Sequence, residues 1–236
     1  MKIIKKNIFF RIKLLVIVLS SLFIFSSLTK AEDRWFYQLG YGYVEGNSHS
    51  RVYAHNTPDR FSFAGNIQGY RADFGLGLSS EINKIKVDYI LSYSPDAFNN
   101  QVDTKNSCPN PIFECRVNIK DSIDLGVKIY LPVNYNNITP AIYLGLSNAD
   151  IQLKTFDKGD LSPSVMNHQR NWGAAAGASL NYPLKEYNVD ISLDYSWTAY
   201  ERNIEIVNGL NNGLGTESAG SRPEIHATSL KVKKYF

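Results

Sequence analysis

The chain has 236 residues, 44% hydrophobic and 20% charged, a balance that excludes a disordered or fibrous protein. Its 15 Tyr, 12 Phe and 16 Gly favour pleated sheet over helix, because aromatic rings fill a sheet face and Gly weakens helices. The formal charge of +3 belongs to the amino terminus: residues 1–31 hold six of the 25 basic residues and no acidic one, which leaves 19 basic against 22 acidic and excludes a basic nucleic-acid-binding surface.

Residues 1–31 read as an export signal. Lys2, Lys5, Lys6, Arg11 and Lys13 form a cationic head, Leu14 to Leu28 is a 15-residue apolar run, and Thr29-Lys30-Ala31 supplies small residues for cleavage after Ala31. The run is shorter than the roughly 20 residues that span a bilayer as a helix. Residues 32–236 are then expected to form one exported domain.

Strand alternation begins at once. Trp35, Tyr37, Leu39, Tyr41 and Tyr43 share one parity, with Phe36, Gln38, Gly40, Gly42 and Val44 on the other. A second strand sets Tyr70, Ala72, Phe74, Leu76 and Leu78 against Gly69, Arg71, Asp73, Gly75 and Gly77. A third sets Ile85, Val87, Tyr89, Leu91 and Tyr93 against Lys86, Asp88 and Ser92. The fourth places Ile119 with Ile123, Leu125, Val127, Ile129 and Leu131, opposite Lys120, Ser122, Asp124, Gly126 and Lys128. In the fifth, Thr139 to about Leu153, the apolar parity slips from Ile142, Leu144 and Leu146 to Ile151 and Leu153, which predicts a bulge near Asn148 or the strand leaving the membrane. The sixth has Trp172, Ala174, Ala176, Ala178, Leu180 and Tyr182; the seventh has Val189, Ile191, Leu193, Tyr195 and Trp197 opposite Asp190 and Asp194. The eighth is HATSLKVKKYF, with Leu230 and Val232 apolar and Phe236 last.

The connections alternate in length. Ser80–Lys84, Pro132–Asn137 and Pro183–Asn188 are tight turns, whereas Gly46–Gly65, Pro95–Cys115, Lys154–Gln169 and Arg202–Arg222 read as long polar loops. Cys108 and Cys115 are the two cysteines; in an oxidising compartment they are expected to form a local disulfide, since two thiolates without a nearby His do not complete a zinc shell.

The polar parity decides the environment. Its residues are Gly and Ser with single charges at Arg71, Asp73, Lys86, Asp88, Asp124, Lys128, Asp190 and Asp194, which suits a narrow interior of paired charges better than a water-facing surface. The apolar parity then faces outward, with aromatic residues near both ends: Trp35, Tyr37 and Tyr182 at one, Tyr43, Tyr70, Tyr93, Trp172 and Trp197 at the other. Lipid leaves no partner for an open sheet edge, so the strands must close. The expected fold is all-β: an eight-stranded antiparallel up-and-down transmembrane β-barrel with short periplasmic turns and long extracellular loops.

Those features, with AAAGASLNYPL, NVDISLDYSWTAYE and the terminal Phe, resemble the small eight-stranded outer-membrane barrels of Gram-negative bacteria, the OmpA, OmpX and opacity-protein group. The resemblance covers nearly the whole mature chain. It implies a protein of the cell outer membrane, exported through the periplasm, with membrane lipid and lipopolysaccharide as surroundings and Phe236 read by the barrel-assembly machinery. Lys234 departs from the group, which carries an aromatic or apolar residue two places before the end; near the rim its ammonium can reach the headgroups. The chain ends at the last strand, so cell-wall tethering is not implied.

Four functions follow as expectations. The loops either shield the membrane without a specific partner or bind an extracellular ligand or host molecule in the manner of an adhesin. A small channel is a third reading, opposed by the inward charges. The fourth is a lipid A-modifying enzyme, for which His49, His55, His168 and His226 are the available bases; Thr228 shares a face with His226, but no serine or acidic partner accompanies it. No enzyme activity, cofactor, metal or nucleic-acid partner is expected: Asn208–Gly215 lacks the Lys and helix of a phosphate-binding loop, and Asp157, Asp160 and Glu205 match no calcium spacing.

Overall fold

The structure, a computed structural model, describes residues 33–54, 60–95, 106–107, 113–157, 160–201, 205–207 and 217–236. The expected signal peptide, Cys108, His55 and the Asn208–Gly215 run lie outside the described residues, and of Cys115 and His168 only the backbone is described.

Eight long strands and two short ones form a single sheet: β1 (Arg34–Ala54), β2 (Arg60–Ile82), β3 (Ile85–Ser94), β4 (Asn106–Ser107), β5 (Phe113–Tyr130), β6 (Thr139–Asp157), β7 (Asp160–Leu184), β8 (Val189–Tyr200), β9 (Glu205–Val207) and β10 (Glu217–Tyr235). All pairings are antiparallel, the eight long strands pair in chain order, and β1 pairs β10 from Phe36 opposite Tyr235 to Ala54 opposite Glu217, so the sheet closes on itself. A path across the register from Phe36 passes Gly77, Ile90, Gly126, Gly145, Ala175, Thr198 and Ile225 and returns to β1 at Gly46, ten residues beyond its start. An eight-stranded barrel with that stagger tilts its strands by about 40° and leaves an interior that side chains fill.

The short turns follow from asparagine. Asn83 and Lys84 both have positive φ (50° and 68°), as do Asn136 and Asn137 (50° and 66°), giving two-residue turns whose twist matches the flanking strands. Between β7 and β8 a 3-10 turn, Lys185–Tyr187, ends on Asn188 with φ of 50°. Paired sheet continues where loops were expected. Strand pairing persists in β1 to Ala54, in β2 from Arg60, in β6 to Asp157, in β7 from Asp160 and in β10 from Glu217, so much of the expected loops is paired sheet. The reason is that beyond the membrane both faces of a strand can be polar, which erases the hydrophobic period while backbone pairing continues. β3 and β8 stop earlier, at Ser94 and Tyr200. They lie opposite one another in the ring, so past their ends the sheet continues as two lobes, β9-β10-β1-β2 and β4-β5-β6-β7, in which β9 and β4 are the short outer strands.

The parity of β6 does not slip at Asn148. Ala141, Ser147, Ala149 and Ile151 all point inward, and the irregularity lies across the pair in β5, where Ile119 opposes Ile151 but Ser122 opposes Ala149. The extra residue between them turns Val117 and Ile119 inward; Ile119 was expected outside and is buried.

Candidate functional site

The lumen is the most elaborated part of the described structure. All eight charges expected there lie on inward positions, and Lys231 and Lys233 of β10 join them. The set contains five acidic residues (Asp73, Asp88, Asp124, Asp190, Asp194) and five basic ones (Arg71, Lys86, Lys128, Lys231, Lys233), so its formal charge cancels.

Two tiers follow along the barrel axis. Nearer the short turns, Lys233 Nζ donates to Asp88 Oδ2 (2.6 Å) and the Tyr130 hydroxyl (2.6 Å), and stands 3.3 Å from Asp190 Oδ2. Lys86 Nζ donates to the same Asp190 oxygen (3.1 Å) and to the Tyr235 hydroxyl (2.7 Å), and the Tyr235 hydroxyl donates to Asp190 (2.7 Å). The faces of Phe36, Tyr130 and Tyr235 lie 4.9, 5.1 and 5.0 Å from Lys233 Nζ, close enough for cation–π attraction inside a dry site. Asp88 is wholly buried and its Oδ1 has no partner, so Lys233 is its nearest compensation.

In the second tier Arg71 binds Asp73 (2.6 Å), Asp124 and Ser94 (2.7 Å), while Lys128 donates to both oxygens of Asp194 (3.2 and 3.1 Å). Lys231 stands between Asp194 (3.4 Å) and Asp73 (3.9 Å). Gly40 is opposite both Lys231 and Asp73; a Cβ there would come within 2.9 Å of Lys231 Cγ and 3.3 Å of Asp73 Oδ2, so glycine lets that pair meet across β1. Gly126 serves the neighbouring wall by accepting the flat ring of Tyr143.

Above the charges, toward the lobes, the lumen turns apolar. Val44, Val117, Ile119, Ala149, Ile151, Tyr200, Ile225 and Ala227 pack into one buried cluster, with the Tyr200 hydroxyl 2.8 Å from Ser147. A cavity of about 50 Å³ lies among the second-tier charges and another of about 30 Å³ adjoins Arg71 and Tyr200. Spaces of this size hold a few water molecules at most. The arrangement can neutralise and hold charge.

Outside, the surface is inverted relative to a water-soluble barrel. Trp35, Tyr37, Leu39, Tyr41, Leu76, Leu91, Leu144, Leu180, Leu193, Leu230 and Val232 are exposed, and aromatic residues bound the band at both ends. The eight steps from Trp35 to Tyr43 rise about 27 Å along the strand, or about 20 Å along the axis at this tilt, and the rings extend that toward the apolar height of a bilayer. Closed backbone pairing beneath an apolar belt of this height is what a bilayer requires. The described chain is a transmembrane β-barrel of outer-membrane type.

At the short-turn rim Lys234 points outward and donates to the Tyr187 carbonyl, which accounts for a lysine at that place. The Phe236 amide donates to the Trp35 carbonyl (3.0 Å), its ring packs 6.4 Å from that of Tyr37, and it is 75% exposed. At the opposite rim the Tyr195 hydroxyl is 2.6 Å from His226 Nδ1, and Thr228 lies on the same outer face. His49 is exposed on β1.

Solved structures similar to this chain are outer-membrane proteins. They include Neisserial surface protein A (14% identity, 86% of this chain and 97% of that one, TM-score 0.37) and OprG from Pseudomonas aeruginosa (16%, 84% and 95%, TM-score 0.47). The outer membrane protease OmpT from Escherichia coli is another (10%, 88% and 99%, TM-score 0.48). No family model and no curated protein sequence matches the chain.

Sequence reasoning missed Lys231 and Lys233. Their signal was present: both sit on the parity opposite Leu230 and Val232, and without them the expected interior holds five acidic residues against three basic ones. It also missed the apolar layer, because the β5 bulge hides the inward parity of Val117 and Ile119.

Proposed function

We propose that the protein is an exported, non-conducting outer-membrane surface barrel whose two lobes and their connections meet ligands outside the cell. The observation that carries this reading is the filled lumen: paired charges capped by an apolar layer leave the outer surface as the place where function resides. Residues 1–31 act as the cleaved signal, the short turns face the periplasm, and lipid and lipopolysaccharide surround the belt. Phe236, exposed at the periplasmic rim, serves recognition by the assembly machinery.

On this reading the chain is a structural and binding protein rather than an enzyme. His226 engages a tyrosine hydroxyl at Nδ1, an arrangement that fits anchoring at the headgroup level. The test is labelling of cysteines placed at loop positions in intact cells, together with faster migration of the unheated protein on a detergent gel. Labelling only after membrane disruption, or a protein soluble without detergent, would sink the reading. Mass spectrometry of lipid A after incubation tests the non-enzymatic part, which an altered acyl count would overturn.

A further inference from the structure

The outer face at the lobe end is not uniform around the barrel. Across β2, β1, β10 and β8, one row holds Tyr70, Tyr43, Thr228 and Tyr195, and the next holds Gln68, Glu45, His226 and Trp197. Tyr41 extends this patch toward the membrane: its ring is parallel to that of Tyr70 (5°, centroids 5.9 Å), while Tyr43 meets Tyr70 edge-on at 5.7 Å. These rings are 39–56% exposed. At the corresponding level the other half of the barrel presents Tyr93 and Trp172, and its polar collar is internally paired, with Arg170 bound to Asp121 (2.6 Å) and Asn148 (3.3 Å).

The polar groups beside the tyrosines are left open instead. Among the described residues, Glu45, Gln68 and Asn47 are exposed and have no hydrogen-bond or ion-pair partner. Glu224, opposite Asn47, has Arg222 at 3.9 Å. The patch therefore combines flat ring faces, open amide groups and an unpaired carboxylate, at the height where lipid headgroups begin.

We propose that this patch binds the ammonium-bearing sugar headgroup of a lipid in the outer leaflet. The tyrosine faces take the apolar face of the pyranose and attract the cation. Gln68 and Asn47 meet its hydroxyls, and Glu45 pairs with the ammonium. The same carboxylate disfavours phosphate-bearing sugars, so charge complementarity selects an amine and rejects an anion. The site rests on the surface-barrel reading and names the ligand chemistry of one sector of that surface.

The test uses the full mature barrel in neutral detergent micelles and calorimetric titration with a glucosamine hexamer, against the N-acetylated hexamer. The expected result is binding of the amine form at least about tenfold tighter than the acetylated form. Glu45→Gln and Tyr70→Ala each weaken it about tenfold, Tyr70→Phe retains it, and Tyr93→Ala in the other sector leaves it unchanged. Dodecyl glucosaminide doped into the micelles competes better than free glucosamine if the lipid-borne form is the ligand. Equal binding of both hexamers, no binding, an equal loss in Tyr93→Ala, or dodecyl glucosaminide that does not compete overturns the proposal. Unheated gel mobility of each variant keeps a folding failure separate, and a folded, surface-labelled barrel that binds no amine sugar leaves the surface-barrel reading standing while this one falls.

Discussion

Replacing Lys233 by Met should be among the most damaging single changes in the barrel. The substitution keeps the length of the stem and removes the ammonium that touches Asp88 at 2.6 Å, with side-chain exposures of 7% and 0%. Asp190, the second contact, keeps Lys86 and the Tyr235 hydroxyl. Asp88 keeps only the Tyr130 hydroxyl (2.7 Å), because its other oxygen has no partner. A buried carboxylate stripped of its counter-charge costs about 3–5 kcal/mol. The mirrored change at Lys86 is different: its side chain is 38% exposed, so Lys86→Met should cost about 1 kcal/mol or less. Adding Asp88→Asn to Lys233→Met removes the stranded charge and should recover about 2–3 kcal/mol. Reversible urea titration of the barrel in lipid vesicles, followed by tryptophan fluorescence and gel mobility, measures the wild type, Lys86→Met, Lys233→Met, Asp88→Asn and the double variant. A loss below about 1 kcal/mol for Lys233→Met, or a double variant as unstable as the sum of its parts, would refute the assignment of Lys233 as the counter-charge of Asp88.

Three further outcomes are expected. Gly42→Ala should destabilise by about 1–3 kcal/mol, since its Cβ would strike the Thr228 carbonyl and the Ser229 backbone, while Gly75→Ala should cost less because only the flexible Gln38 side chain stands in the way; urea midpoints separate the two. In planar bilayers the protein should give no stable large conductance, and a sustained channel would show that the apolar layer of Val44, Ile151, Tyr200 and Ile225 does not seal the lumen. Phe236→Ala should change equilibrium stability by under about 1 kcal/mol, because the ring is 75% exposed, yet lower the yield of assembled barrel in cells; a normal yield would count against a recognition role.

Within the bilayer, side-chain alternation carried the fold, because each strand there has one face in lipid and one in the lumen. Trp35 to Tyr43 and Val189 to Trp197 announce their two faces residue by residue. Above the bilayer that contrast disappears, and so Asn47 to Tyr53 reads as loop although it pairs on both sides. The β5 bulge defeated the pattern differently: one additional residue changed the parity of Val117 and Ile119. In β6 the apparent slip comes instead from Ile151, an apolar residue on the inward parity that joins the buried layer. Among the charges, membership of the lumen was legible from parity, but the pairing was not, since it depends on the ten-residue stagger that brings Lys233 beside Asp88 from strands far apart in sequence.

Strand β10 has a double task. β10 supplies the missing hydrogen-bond partner for β1, and through Lys231 and Lys233 it supplies the final two cations for a lumen otherwise left with five carboxylates and three bases. A chain lacking β10 would face the membrane with an open seam and a net negative core together. Closure of the sheet and neutrality of the lumen thus depend on the same strand.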